Sequence, residues 1–143
     1  MLTRLVYASR ATDVIDDAFL KSILGSSRAH NPEQGITGVL CVYQRGNVFL
    51  QALEGARTAV NALYCRIVRD PRHRDITLLD YSEIEQRLFA SWRMGIIDVG
   101  SVNLSTILRY SEKAVLDPDT MSGRAALALL EELTTSGAIV SHD

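Results

Sequence analysis

The chain has 143 residues, 47% apolar and 22% charged, with a formal net charge of −2, a size and balance that suit one globular domain with a sizeable core. So small a negative charge gives no reason to expect nucleic acid or an anionic membrane as a partner, and no run approaches the roughly 18 apolar residues of a membrane span. No apolar leader with a small-residue cleavage site opens the chain, so a cytoplasmic protein is expected. Cys41 and Cys65, one in a strand pattern and one in a helix pattern, read as buried free thiols rather than a disulfide or a metal pair.

Residues Leu2 to Ser9 read as a strand, with Leu5, Val6 and Tyr7 supplying β-favouring bulk. After an acidic connector, Asp16 is placed to cap a helix whose Phe19, Leu20, Ile23 and Leu24 make one apolar stripe. Pro32 disfavours helical geometry in the residue before it, so this helix is expected to stop near Asn31. Gly35-Ile36-Thr37-Gly38 then opens a hairpin, Val39 to Tyr43 and Val48 to Glu54, turning at Arg45-Gly46-Asn47. A second helix follows, with Val60, Leu63, Tyr64, Ile67 and Val68 on one face, and closes at Asp70-Pro71. Two more strands are expected, about Ile76 to Ile84 and Phe89 to Ile97. The tail predicts a short helix around Leu104, Ile107 and Leu108 and a longer one from about Ser122 to Leu133.

The order βαββαββ predicts an α+β, ferredoxin-like sheet with both helices on one face, because right-handed crossovers place them side by side. The tail helices are then available to cover the other face or to form a dimer surface. The expected division is a sheet domain over residues 1–98 and a helical extension over 99–143.

No metal constellation is visible: His30, His73 and His142 lie far apart, and none has a carboxylate or thiol at ligand spacing. Neither a phosphate-cradling loop nor a serine-hydrolase elbow is present. The basic run at Arg66, Arg69, Arg72, His73 and Arg74 is broken by Asp70 and Asp75 and reads first as a solvated helix end, second as a phosphate contact. What stands out is polarity inside apolar patterns. Gln51 interrupts Val48-Phe49-Leu50-Gln51-Ala52-Leu53, and a buried glutamine needs partners for both ends of its amide. The Tyr7 hydroxyl needs one too. The first and third strands are neighbours in a ferredoxin-like order, so these two side chains can meet. On the residues alone the choice stays open between a satisfied core pair and a ligand site, and Asn31 by default caps a helix end.

Several motifs in register resolve that choice. They are Leu5-Val6-Tyr7-Ala8-Ser9, His30-Asn31, Gly35-Ile36-Thr37-Gly38, Phe49-Leu50-Gln51-Ala52-Leu53-Glu54-Gly55, Asp70-Pro71-Arg72-His73 and Trp92-Arg93-Met94. In order and spacing, from about Leu2 to Ile97, this set resembles the BLUF (blue-light-using flavin) domains. The resemblance implies a flavin, usually FAD with FMN as the alternative, bound between the two helices. It implies Tyr7 as electron and proton donor to the excited flavin and Gln51 as the bridge between Tyr7 and the ring. Asn31 would hold the ring's carbonyl and N–H edge, whose donor–acceptor pattern an amide complements. Ser9, Ser27, His30, Arg72 and His73 would line the site. Trp92 and Met94, expected on one face of the last strand, would relay the signal; the competing reading of this pair is plain packing.

The function so implied is a photosensor rather than an enzyme, acting through a separate downstream signalling protein or through its own oligomer, a dimer or larger. The alternatives are a flavin-dependent reductase, for which no nicotinamide or substrate site is visible, and a flavin-free ferredoxin-like binding module. The polar trio Tyr7, Asn31 and Gln51 argues against the last, since an empty core gains nothing from groups that must find partners.

Overall fold

The computed structural model describes the backbone of residues 1–136 and 139–141, with side chains for all of these except 26–33 and 139–141. In chain order the elements are β1 (Leu2–Ala11), α1 (Asp17–Gln34), β2 (Thr37–Tyr43), β3 (Val48–Ala56), α2 (Arg57–Arg69), β4 (His73–Ile84), β5 (Gly95–Asp98), α3 (Leu104–Leu108), α4 (Gly123–Thr135) and β6 (Ile139–Ser141). The strands form one sheet in the order β4-β1-β3-β2-β5-β6. Only β2 and β5 run parallel; the other pairs are antiparallel. This is the expected α+β, ferredoxin-like arrangement, with β1 and β3 adjacent and one strand, β6, that the sequence reading did not anticipate.

Local chemistry explains most boundaries. Asp16 Oδ1 accepts the Phe19 amide at 2.7 Å, the expected cap of α1. The helix does not stop at Asn31 but runs through Pro32 to Gln34. Proline deletes one helical hydrogen bond and crowds the turn before it, yet a helix packed by Phe19, Leu20, Ile23 and Leu24 absorbs that cost. The chain leaves the helix where Gly35 takes φ +68°, a left-handed conformation that glycine adopts without penalty. In α2, Val60 and Leu63 are buried as expected, but Val68 is 49% exposed. At about 100° per residue it falls on the margin of the stripe that Val60, Leu63, Tyr64 and Ile67 define.

The expected strand from Phe89 to Ile97 is reduced to Gly95–Asp98. The cause lies on β3, where the buried Glu54 carboxylate accepts the Leu88 and Phe89 amides at 2.9 and 2.7 Å. A side chain takes the donors that a sheet ladder would need, so this stretch bends instead of pairing.

The sheet separates two apolar cores. One lies beneath α1 and α2 and includes Leu5, Tyr7, Leu40, Phe49, Leu53, Val60 and Met94. The other lies beneath the tail and joins Val6, Ala8, Cys41, Leu50 and Phe89 to Ile107, Leu116, Ala126, Leu129, Leu130 and Leu133. The spacing of Ala126, Leu129, Leu130 and Leu133 is the i, i+3, i+4, i+7 stripe of an amphipathic helix, and each buried leucine contributes roughly 2 kcal/mol before chain entropy is subtracted. Both cysteines are free, but Cys65 is exposed while Cys41 is buried: Cys65 sits off the apolar stripe of α2. No described helix is long and apolar enough to cross a membrane.

Candidate functional site

A cleft opens between α1, α2 and the sheet. Its floor comes from Tyr7 on β1, Leu40 on β2, and Phe49 and Gln51 on β3; its walls come from Ile23, Leu63, Arg66 and Ile67; Asp70, Arg72 and His73 complete it. Alternation along β1 and β3 turns Tyr7, Phe49 and Gln51 to this face together, and register makes Tyr7 and Gln51 direct partners across the ladder. Tyr7 Oη donates to Gln51 Oε1. The other end of the same amide, Nε2, donates to Met94 Sδ at 3.2 Å. Tyr7 and Gln51 are each only 4% exposed. Burial, with Tyr64 and Asp70 adding to it, pushes the Tyr7 phenol far above its ordinary value, so it keeps its proton for donation at any physiological pH.

Around this pair the polar groups are tied in place. The Tyr7 ring lies 5.7 Å from that of Tyr64 and 6.3 Å from that of His73. His73 Nε2 is 2.6 Å from the Ile67 carbonyl and Nδ1 is 2.8 Å from Ser9 Oγ. A carbonyl only accepts, so Nε2 carries a proton, and in the neutral ring Nδ1 accepts from the Ser9 hydroxyl. Arg72 Nε donates to both Asp70 oxygens at 3.0 Å, and a second guanidinium nitrogen donates to Ser22 on α1 at 3.3 Å. The hydrogen bond from Arg72 holds the Asp70 carboxyl below the usual carboxylate range, against the opposing effect of partial burial.

Of the residues singled out in the sequence, Tyr7, Gln51, Arg72 and His73 line the cleft, and Ser9 supports it through His73. Ser27, His30 and Asn31 lie on α1 outside the described side chains. Trp92 and Met94 do not share a strand face as expected: both precede β5, Met94 is buried in the cleft-side core, and Trp92 packs against the tail-side core. Two-residue alternation assumes a continuous strand, and here residues 90–94 are turn and bend ahead of β5. Arg66 and Asp70 were missed as lining residues because both were read as part of a solvated helix end. Part of their signal was available: Leu63, Arg66 and Ile67 stand at i, i+3 and i+4 on one helical stripe, and Asp70 follows as the C-cap of α2. Among the described residues no group of three or more His, Cys, Asp or Glu side chains converges on a metal position.

Comparison with known proteins gives this cleft its context. The family model for BLUF, described as sensors of blue-light using FAD, matches residues 2–95. The chain is 39% identical over 90 residues to photoactivated adenylate cyclase subunit beta of Euglena gracilis, an alignment covering 63% of this chain and 10% of that protein. It is 30% identical over 99 residues to the blue light- and temperature-regulated antirepressor BluF of Escherichia coli, covering 69% of this chain and 24% of that protein. The chain thus spans about a tenth to a quarter of these relatives' length. Among solved structures it resembles the BLUF protein BlrB in its dark state, with TM-score 0.79, 31% identity and coverage of 95% and 96% of the two chains. It also resembles BlsA in its photo-activated state, with TM-score 0.82, 29% identity and coverage of 100% and 99%. The residues present fit the family's cofactor. Leu40, Phe49, Leu63 and Ile67 offer apolar walls for a planar ring system, the Tyr7–Gln51 pair offers hydrogen-bonding groups at its edge, and Arg66 and Arg72 offer cations for a phosphate. The chain belongs to the BLUF family of flavin-based blue-light sensors.

Proposed function

We propose that Tyr7 and Gln51 are the photoactive pair of this sensor and that Met94 and Trp92 carry its signal to the tail face of the sheet. The reading rests on one observation, the buried hydrogen-bond chain Tyr7–Gln51–Met94 on the cleft floor. When bound, FAD supplies the absorption of blue light and an excited state that takes up an electron. Tyr7 would give up an electron to that excited state while its Oη proton moves along the existing hydrogen bond to Gln51 Oε1. When the electron and the proton return together to Tyr7, Gln51 would be left as a neutral amide with its donor and acceptor ends exchanged, so that Nε2 no longer faces Met94. Asn31 holds the polar ring edge, and Ser9, Ser27, His30, Arg66, Asp70, Arg72 and His73 hold the remainder of the cofactor. Burial of the pair keeps water from short-circuiting the proton movement.

In this reading residues 1–98 are the sensor and 99–143 the output surface, in a cytoplasmic protein that self-associates and acts on a separate signalling protein. The relatives, a photoactivated cyclase subunit and a light-regulated antirepressor, support an effector-coupled role. Absorption spectra of the purified protein before and after blue light test it. A flavin band that moves to the red and recovers in the dark supports the reading; bleaching of the band, or no bound flavin, refutes it. Extraction and chromatography of the pigment separate FAD from FMN.

A further inference from the structure

Glu54 is the only acidic side chain fully buried among the described residues. It sits three positions past Gln51 on β3 and faces the opposite side of the sheet. Its carboxylate accepts from three donors: Arg4 Nε at 2.8 Å, the Leu88 amide at 2.9 Å and the Phe89 amide at 2.7 Å. Arg4 is its register partner on β1, and Phe89 is fully buried in the tail-side core. The segment Leu88–Met94 is therefore held by β3 at both ends, by Glu54 at the start and by Gln51 through Met94 Sδ at the finish. Between these points the Trp92 carbonyl accepts the Gly38 amide at 3.1 Å, and the Trp92 ring packs against the tail-side core. Loop amides are ordinarily satisfied by water at little cost, whereas a buried carboxylate with a buried arginine is an expensive way to hold them.

We propose that Glu54 is a positioning residue for the light switch: by fixing the Leu88–Phe89 end of the segment, it makes a change at Met94 displace Trp92 instead of being lost in loop motion. This rests on the photosensor reading above. A fixed end also pulls Met94 back toward Gln51, so the clamp favours the dark state.

The test uses the full chain with FAD in wild-type, Glu54→Gln and Leu133→Ala forms. Glu54→Gln keeps the shape but presents an NH2 group to one of the donors. Leu133→Ala weakens the tail-side core but removes none of the clamp's hydrogen bonds. Glu54→Gln is expected to keep the dark spectrum and the red shift, because Tyr7 and Gln51 lie on the other face. Its return to the dark state slows, and exchange of the Leu88 and Phe89 amides speeds up, each by about tenfold for the loss of one charge-assisted hydrogen bond. Leu133→Ala keeps wild-type recovery and protected Leu88 and Phe89 amides. Wild-type recovery in Glu54→Gln, or equal slowing in Leu133→Ala, overturns the positioning role while leaving the photosensor reading intact. A wild-type protein with no red shift overturns both. If Glu54→Gln does not hold FAD, Glu54→Asp, which keeps the charge for Arg4 but falls short of the amides, is judged by the same criteria.

Discussion

Tyr7 and Gln51 face each other across the β1–β3 ladder, and Tyr7 Oη donates to Gln51 Oε1. With Nε2 of the same amide on Met94 Sδ, both ends of the glutamine are engaged and its orientation is set by its partners. A half-turn of the amide would bring Nε2 to Tyr7 and Oε1 to the thioether. The tyrosine would change from donor to acceptor and the methionine would lose its donor. The pair thus has two arrangements that differ in hydrogen bonds and hardly at all in shape, which is what a bistable element requires.

Replacing Tyr7 with Phe keeps the ring in the core but removes the proton that Gln51 Oε1 receives. The variant should retain bound flavin and lose the light-induced red shift. It should also lose about 1–3 kcal/mol of stability, because a buried acceptor is left unpaired. Difference spectra and chemical denaturation check the two effects; a normal photocycle in this variant would remove Tyr7 from the mechanism.

Gln51→Leu cuts the same chain in its middle. The Tyr7 hydroxyl and the Met94 thioether both lose their contact with Gln51, while the volume on the cleft floor is nearly kept. FAD affinity should fall by roughly tenfold, the value of one lost hydrogen bond to the ring edge, and illumination should leave the flavin band where it was. Titration with FAD and a light-minus-dark spectrum read both; a shift of wild-type size would mean that another side chain is the switch.

What was legible in the sequence is the part built on local periodicity. The register that joins Tyr7 to Gln51 follows from strand order and alternation. The helix expected from about Ser122 to Leu133, with Ala125, Leu127, Leu129 and Leu130 as its apolar residues, is present as α4, which buries Leu129 and Leu130 together with Ala126 and Leu133. The failures share a cause, which is that long-range partners override local pattern. Glu54 takes the Leu88 and Phe89 amides from across the sheet and ends a strand before it begins, so Trp92 and Met94 reach opposite cores. Arg66 and Asp70 looked solvated until the packing of α2 over the sheet placed them on the cleft wall. β6 is too short for a periodic signal and is defined by pairing with β5.

The raised pKa of Tyr7 has a consequence at alkaline pH. The unfolded chain releases this proton near pH 10, while burial makes the folded protein keep it to higher pH. Its contribution is therefore fully present below about pH 10 and is lost as pH rises beyond that, at about 1.4 kcal/mol per pH unit. Unfolding free energies measured across this alkaline range should fall less steeply for Tyr7→Phe than for wild type. Parallel declines would show that the Tyr7 phenol ionises as freely as an exposed one.

Gly123 opens α4 against β4, and a Cβ there would stand 2.0 Å from the Leu79 carbonyl oxygen and 2.8 Å from its carbon. Both are backbone atoms and cannot swing aside. Alanine favours helix over glycine by up to about 1 kcal/mol, so propensity alone predicts that Gly123→Ala stabilises. Overpacking typically costs about 1–3 kcal/mol, and here it lifts the first turn of α4 away from the sheet. The clash should win, lowering the unfolding midpoint and exposing the tail to protease. Arg124→Ala, one residue on and exposed, should stay within about 0.5 kcal/mol of wild type. A stabilised Gly123→Ala would mean that α4 does not sit against Leu79, and the tail-side core beneath Leu129, Leu130 and Leu133 would need another arrangement.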